Sequence, residues 1–423
     1  MIRIKDIKIR EDLLEEKVLE KALQKNRLQK EDVKKWYIYK KSIDARKKED
    51  IFYNYTIDIE LKDKNKEKKF EKIEEYKMPE IKVKRTSKIQ PVIIGAGPAG
   101  LFSALIFVEN GIKPILIERG KRVEDRVKDV EEFINSKKFN PKSNIQFGEG
   151  GAGTFSDGKL NTGNSSIYSR KVLEEFVKFG APKEIMYVAK PHLGTDNLVK
   201  IVKNIREYIL EKGGQIFFEE EVIDFEIKKG QIKSVITNQK RKIETDSVIL
   251  AIGHSARDTF KKLNELGVKI APKNFAVGVR IEHLQKDINM AQYGNKTKLR
   301  LGSADYKLVY HASNGRTCYT FCMCPGGKVM ASNSEESSIV TNGMSNFARD
   351  GENANSALLV NISVEDFYKE SPLDGMYFQE ELEKKATYNP IIEETEEEPI
   401  KKKRRKRKKI QCTNTKSWRF SRK

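Results

Sequence analysis

Gly95, Gly97 and Gly100 stand in the spacing Gly-x-Gly-x-x-Gly, directly behind the apolar run Val92, Ile93, Ile94. The chemistry that needs this spacing is the holding of a diphosphate by backbone. The first glycine permits a tight turn, the second lets the chain approach the anion, and the third lets the following helix pack against the strand. Pro98 and Ala99 open that helix, where free amides and the helix dipole favour negative charge. A second apolar strand, PILIE, ends on Glu118, eighteen residues after Gly100. Its carboxylate is placed to accept hydrogen bonds from ribose hydroxyls and would repel a 2′-phosphate. A lone glycine triplet is weak evidence. With a strand before it, a helix after it and an acid at this distance, it specifies the ADP half of a dinucleotide.

Three further stretches carry chemistry-bearing residues. FGEGGAGTFSDGKLNTG, 147–163, has glycines at 148, 150, 151, 153 and 158. It suits backbone laid against a flat or phosphorylated ligand, the alternative being a surface loop anchored by Phe147, Phe155 and Leu160. In SVILAIGHSARDTF, 247–260, an apolar strand runs into Gly253 and His254. His254 is the one candidate for contact with substrate or cofactor, against a purely structural turn histidine, and Arg257 divides the same way. Cys318, Cys322 and Cys324 share parity, so on a regular strand their thiols would share a face. A redox pair beside a cofactor and a set of buried free thiols are the two readings. The four histidines, 192, 254, 283 and 311, are scattered, and no metal site is expected.

The elements that must position these groups form an α/β chain. Residues 1–85 read as a small β-α-β-β unit, ferredoxin-like or similar, whose charge-dense end, 62–77, suits a solvated linker or edge. Residues 90–390 read as the cofactor-binding region. They include a helix near 195–212, a strand and meander over 213–238, a return strand near 247–252, and a β-rich portion at about 270–345. Residues 391–423 are a charged tail with nine consecutive basic residues, 401–409.

The net charge of +20 invites a nucleic-acid reading, but its location weakens it. Residues 1–90 hold 27 basic and 19 acidic residues, and 391–423 hold 13 and 5, leaving 42 and 38 between them. The basicity sits at the ends. Residues 91–108 run without a charge for eighteen positions, the length of a membrane span, yet their glycines and Pro98 argue for strand–turn–helix. Four cysteines make no disulfide scaffold, and the charged start has no signal-peptide character, so a cytoplasmic enzyme is expected.

Taken together, KSIDARKK (41–48), GAGPAGLF (95–102), FGEGGAGTFSDGKL (147–160), PHLGTD (191–196), AIGHSARD (251–258) and SNFARDGENANSALLV (345–360) resemble a family of bacterial FAD-dependent dehydrogenases. That family is distantly related to glutathione-reductase-type flavoproteins. The resemblance covers roughly 1–388. It implies a Rossmann-like FAD/NAD(P)-binding domain, a β-rich substrate-side region and a small N-terminal α/β unit. It implies FAD as cofactor, held by Gly95, Gly97, Gly100 and Glu118, with Arg119 and Arg126 near the phosphates or ribose. It further implies Gly150, Gly151 and Gly153 in a flavin-side loop, Val222 as backbone contact to adenine, and Gly253 beside the cofactor. NAD(P)H is an expected electron donor; substrate and oligomeric state are left open. The family's second glycine-rich FAD segment has no match in 391–423. The expectation drawn from this is a truncated or frameshifted product, with an inactive remnant or an RNA-associated protein with basic termini as alternatives.

Overall fold

The computed structural model describes residues 1–78, 87–163 and 166–387. The charged tail of 391–423 lies outside the described residues.

The N-terminal unit comprises β1 (Ile2–Ile9), α1 (Glu15–Lys25), β2 (Val33–Asp44), β3 (Phe52–Leu61) and the short β4 (Glu71–Lys72). Its strands pair antiparallel in the order β2-β3-β1-β4, the split βαβ order of ferredoxin-like units. A register shift between Ile4 and Ile7, with Asp6 at φ 56°, lets these residues of unlike parity both face the core. Val18, Leu19, Ala22 and Leu23, at i, i+3 and i+4 spacings on α1, close over them. The charge-dense stretch after β3 makes one 3₁₀ turn and then the edge strand β4.

The cofactor-type layer begins with β5 (Val92–Ile94), α2 (Pro98–Glu109), β6 (Ile115–Ile117) and α3 (Val123–Ser136). It continues through α4 (Tyr168–Lys178), α5 (Gly194–Glu211) and β7 (Gln215–Phe217). A meander of β8 (Val222–Lys228), β9 (Gln231–Thr237) and β10 (Lys242–Glu244) precedes β11 (Val248–Leu250) and α6 (Arg257–Glu265). Strands β11-β5-β6-β7 form a parallel sheet, with β5 and β6 inside it. Every residue of β5 and β6 is buried, as expected of parallel strands covered on both faces. Helices α2 and α5 cover one face through Leu101, Ala104, Leu105, Ile201 and Ile205. The uncharged stretch 91–108 is thus strand, turn and helix, and no helix among the described residues is long and apolar enough to cross a membrane.

The β-rich part holds β12 (Phe275–Leu284), α7 (Gln285–Tyr293), β13 (Val309–His311), β14 (Thr317–Cys324), β15 (Lys328–Ala331), β16 (Thr341–Met344) and β17 (Asn353–Ile362), before α8 (Asp374–Thr387). Four strands pair antiparallel in the order β12-β17-β14-β13, and β15 pairs with β16. This region runs past the expected end near 345, because β17 lies between β12 and β14 and completes the sheet.

Candidate functional site

The first βα turn is fixed by contacts that only glycine allows. Gly95 has φ +100°, and a Cβ there would lie 2.4 Å from the Ala251 carbonyl oxygen on the β11 side. A Cβ on Gly100 would lie 1.9 Å from the Gly95 oxygen and 3.4 Å from Ile93 Cγ2. Gly97 differs. Its nearest neighbour would be Gly151 Cα at 3.9 Å, so its missing side chain faces open space. Gly97 is also the N-cap of α2, with no side-chain cap and no acidic residue in the first turn. The amides of Ala99 and Gly100 have no intrahelical acceptor there. The residue type that normally caps such an end is absent where a cleft opens in front of it.

That cleft has a volume of about 470 Å³, within the size range of small-ligand sites. Gly95, Gly97, Pro98, Ala99, Glu118, Arg119, Gly151, Gly153, Val222, Gly253 and His254 all line it, so the structure gathers most of the sequence-predicted residues around one cavity. They come from the loops after β5, β6 and β11, at the carboxyl ends of parallel strands, the usual place for a ligand in such sheets, together with the glycine loop after α3 and Val222 at the start of β8.

Glu118 is nearly buried, and its carboxylate is already engaged. Oε2 accepts from Ala96 N (2.7 Å), while Oε1 accepts from Gly120 N (2.9 Å) and Gly148 N (3.1 Å). The side chain expected to face a ribose therefore also pins the first turn to the glycine loop. Oε2 keeps a second lone pair. Arg119 stands on the cleft wall, 4.6 Å from the Phe147 ring centroid, with Nη2 donating to Asp258 (3.0 Å) and lying 3.4 Å from Glu221. Burial works against charge on Asp258, but hydrogen bonds from Glu221 and Arg119 hold its carboxyl down at about 2.

Arg126 and Gly150 are corrections. Arg126 is fully buried and is not among the lining residues. Its guanidinium donates to the carbonyls of Asn144 (2.7 Å), Ile145 (2.8 Å) and Glu149 (2.7 Å), stapling the chain that leads into the glycine loop. Gly150 is buried too. Its amide donates to Ala96 O at 2.8 Å, joining the loop to the first turn, and a Cβ there would meet Thr154 Oγ1 at 2.1 Å. Arg257 is likewise turned away from the cleft and is held by Glu335 (3.0 Å) and Glu383 (2.6 Å). His254 and Gly253 sit exposed at the rim.

The equal-parity reading of the cysteines also fails. The β14–β17 register jumps between Phe321 and Cys324, which oppose Ala357 and Asn355, so β14 carries one extra residue. A single insertion reverses every later side chain. Cys318 lines a second cavity with Ile281 and His283, while Cys324 lies beside Arg280 on the other face.

The residues that hold the glycine loop from beyond the cleft were not foreseen. Asp157 is 1% exposed and accepts from Arg349 Nε (2.8 Å) and Ser345 Oγ, and it pairs with Lys159 (3.0 Å). Burial alone would raise this carboxyl, yet Arg349 and Lys159 hold it at about 2 against an ordinary 3.8. The folded value is depressed, so the stability it gives is present above about pH 4 and is lost as pH falls toward 2. The shift corresponds to roughly 2 kcal/mol. Asp157→Asn is expected to cost about 2 kcal/mol by leaving two half-buried cations without their buried carboxylate, and to flatten the acid limb of a melting-temperature profile between about pH 4 and pH 2. A third cavity, about 730 Å³, is lined by Lys41, Tyr53, His192, Tyr293 and Arg300 and contains none of the predicted residues.

A parallel sheet with a glycine-turn cleft at its carboxyl edge and an antiparallel sheet beside it defines a dinucleotide-dependent flavoprotein architecture. Residues 274–415 match a family described as FAD-dependent protein, C-terminal domain-like, and residues 1–60 match a domain of unknown function. An uncharacterized protein of Clostridium beijerinckii is 46% identical over 365 residues, spanning 84% of this chain and 68% of that protein. A D-amino acid dehydrogenase of Helicobacter pylori is 29% identical over 123 residues, 27% of this chain and 29% of that enzyme. The L-amino acid deaminase from Proteus vulgaris superposes with a TM-score of 0.25 at 14% identity, over 57% of this chain and 62% of that one. The chain belongs to the family of the Clostridium protein, and its C-terminal part matches a family of FAD-dependent proteins.

Proposed function

We propose that the 470 Å³ cleft is where this chain holds FAD, with the diphosphate over the N-terminus of α2. The observation that carries this reading is the uncapped, acid-free helix start at Gly97, whose missing Cβ faces the cleft while Gly95 and Gly100 are closed in by backbone. The amides of Ala99 and Gly100 would meet the diphosphate. Glu118 Oε2 would accept one ribose hydroxyl, and the backbone at Val222 would border the adenine. Gly151 and Gly153 would let their loop lie close to the cofactor. Arg119, already shared between Asp258 and Glu221, would shape the wall more than it neutralises phosphate. When bound, the flavin supplies acceptance and release of a hydride equivalent; the protein supplies binding, orientation and electrostatics.

The test is competition. FAD binding should be displaced by ADP and ADP-ribose, and far less by their 2′-phosphorylated analogues, because Glu118 repels a second anion there. Equal displacement by both sets would remove Glu118 from the ribose site. Anaerobic addition of NADH or NADPH to the holoprotein, followed by loss of the visible flavin band, tests the nicotinamide donor.

His254 is the proposed contact to substrate or flavin, supported by its place on the rim of the cleft. His254→Ala is expected to leave stability within about 0.5 kcal/mol, as an exposed substitution should, and to lower turnover. Unchanged turnover would exclude the role. The cytoplasm is the proposed location, since the free thiols Cys318, Cys322 and Cys324 suit a reducing compartment.

A further inference from the structure

The bulge in β14 does more than reverse the strand. It places Cys322 at φ +45°, a left-handed conformation that side chains other than glycine rarely adopt. The Cys322 and Cys324 thiols then converge on one ammonium group. Lys159 Nζ lies 4.0 Å from Cys322 Sγ and 3.7 Å from Cys324 Sγ. Arg280 Nη2 lies 3.5 Å from Cys324 Sγ and donates to the Cys322 carbonyl at 2.6 Å. Gly343 makes room for this: a Cβ there would fall 2.3 Å from Arg280 Nη2 and 2.7 Å from Cys324 Sγ. Two cations, a strained bulge and a required glycine are more than two packed thiols need.

The two sulfurs are not equivalent. Cys322 is half-buried and Cys324 is buried, so a small electrophile reaches the first and not the second. The hydrogen bond from Cys324, with Lys159 and Arg280 beyond it, pulls the Cys322 thiol down to about 5 against the effect of burial. The neighbouring Cys322 and burial push Cys324 up. An electropositive, partly exposed thiolate beside a protonated thiol is the arrangement of an attacking and a resolving cysteine.

We propose that Cys322 and Cys324 form a peroxide-reducing dithiol, with Cys322 as the attacking thiolate, Cys324 as the resolving thiol and a small hydroperoxide as the substrate. Cys322 Sγ attacks the terminal peroxide oxygen. An S–O bond forms, the O–O bond breaks, and the leaving alkoxide or hydroxide takes a proton from the Lys159 side or from solvent. Cys322 is then a sulfenic acid. Cys324 loses its proton and attacks Cys322 Sγ; an S–S bond forms, the S–O bond breaks, and hydroxide leaves with that proton as water. The dithiol has given up two electrons and two protons, and the peroxide has become an alcohol or water, plus water. A small-molecule dithiol resets the pair by thiol–disulfide exchange. This chemistry does not depend on the flavin reading.

The test treats the full chain, with and without added FAD, with hydrogen peroxide and maps its cysteines by peptide mass. A Cys322–Cys324 disulfide is expected, seen as a peptide lighter by two hydrogens, while Cys318 stays reduced. Cys324→Ser should stop at a dimedone-trappable sulfenic acid on Cys322. Cys318→Ser should oxidise at the wild-type rate. Lys159→Met should slow oxidation by roughly tenfold, the loss expected when a stabilised thiolate reverts toward an ordinary thiol. Oxidation of Cys322 no faster than that of Cys318, or direct passage to sulfinic acid without a disulfide, would overturn the proposal.

Discussion

Replacing Gly97 with aspartate is expected to leave the fold intact and to weaken FAD binding by at least about a hundredfold. Aspartate is among the best residues for an N-cap. Gly97 already has extended backbone at φ −71°, ψ −176°, which aspartate adopts without strain. Nothing but Gly151 Cα, at 3.9 Å, stands near the new Cβ. The carboxylate would accept from the free first-turn amides and stabilise the ligand-free helix by about 0.5–1 kcal/mol. The same carboxylate would occupy the place of the diphosphate and repel it. The ligand-free melting temperature should therefore rise or stay level while the flavin is lost. Gly100→Ala, whose Cβ collides with the Gly95 oxygen, should instead lose fold and flavin together. Retention of FAD by the aspartate variant would remove the diphosphate from the start of α2.

Arg126→Met should cost about 4 kcal/mol. The guanidinium is fully buried, and its three shortest bonds go to main-chain carbonyls of Asn144, Ile145 and Glu149. Methionine fills much of the volume but leaves those carbonyls without a donor, at about 1–3 kcal/mol each. Burial draws Arg126 down to about 10, partly offset by Glu118 and Glu149, so it stays charged at neutral pH. Because the stapled chain runs into Gly148, whose amide binds Glu118, FAD release should become the first step of thermal unfolding. Arg122→Met, on the exposed N-cap of the same helix, should change stability by less than about 0.5 kcal/mol. Wild-type melting of the Arg126 variant would contradict the staple.

These two positions show what the sequence discloses. The glycine triplet and Glu118 are legible because their demands are local: a turn, a close helix and an acid at the end of the next strand. Arg126 was misplaced because its position near the phosphates or ribose came only from the family resemblance, and a basic side chain there serves equally as a staple. Only its burial decides between them. Asp157 gave no signal because Ser345 and Arg349 are nearly two hundred residues away in the chain. The cysteines were read with the right period on the wrong assumption of regularity; one bulged residue, Cys322 at positive φ, undoes the parity argument. The extent of the β-rich part was underestimated because β17 belongs between β12 and β14 only through pairing over long separations.

The most direct test of the central claim is the visible absorption spectrum of the purified full chain supplied with excess FAD, then freed of unbound flavin and assayed for FAD released by heat. A yellow protein releasing close to one equivalent, beside a folded but colourless Gly97→Asp variant, is the predicted result. A soluble, folded wild-type chain that retains no FAD would contradict the assignment of this cleft as its cofactor site.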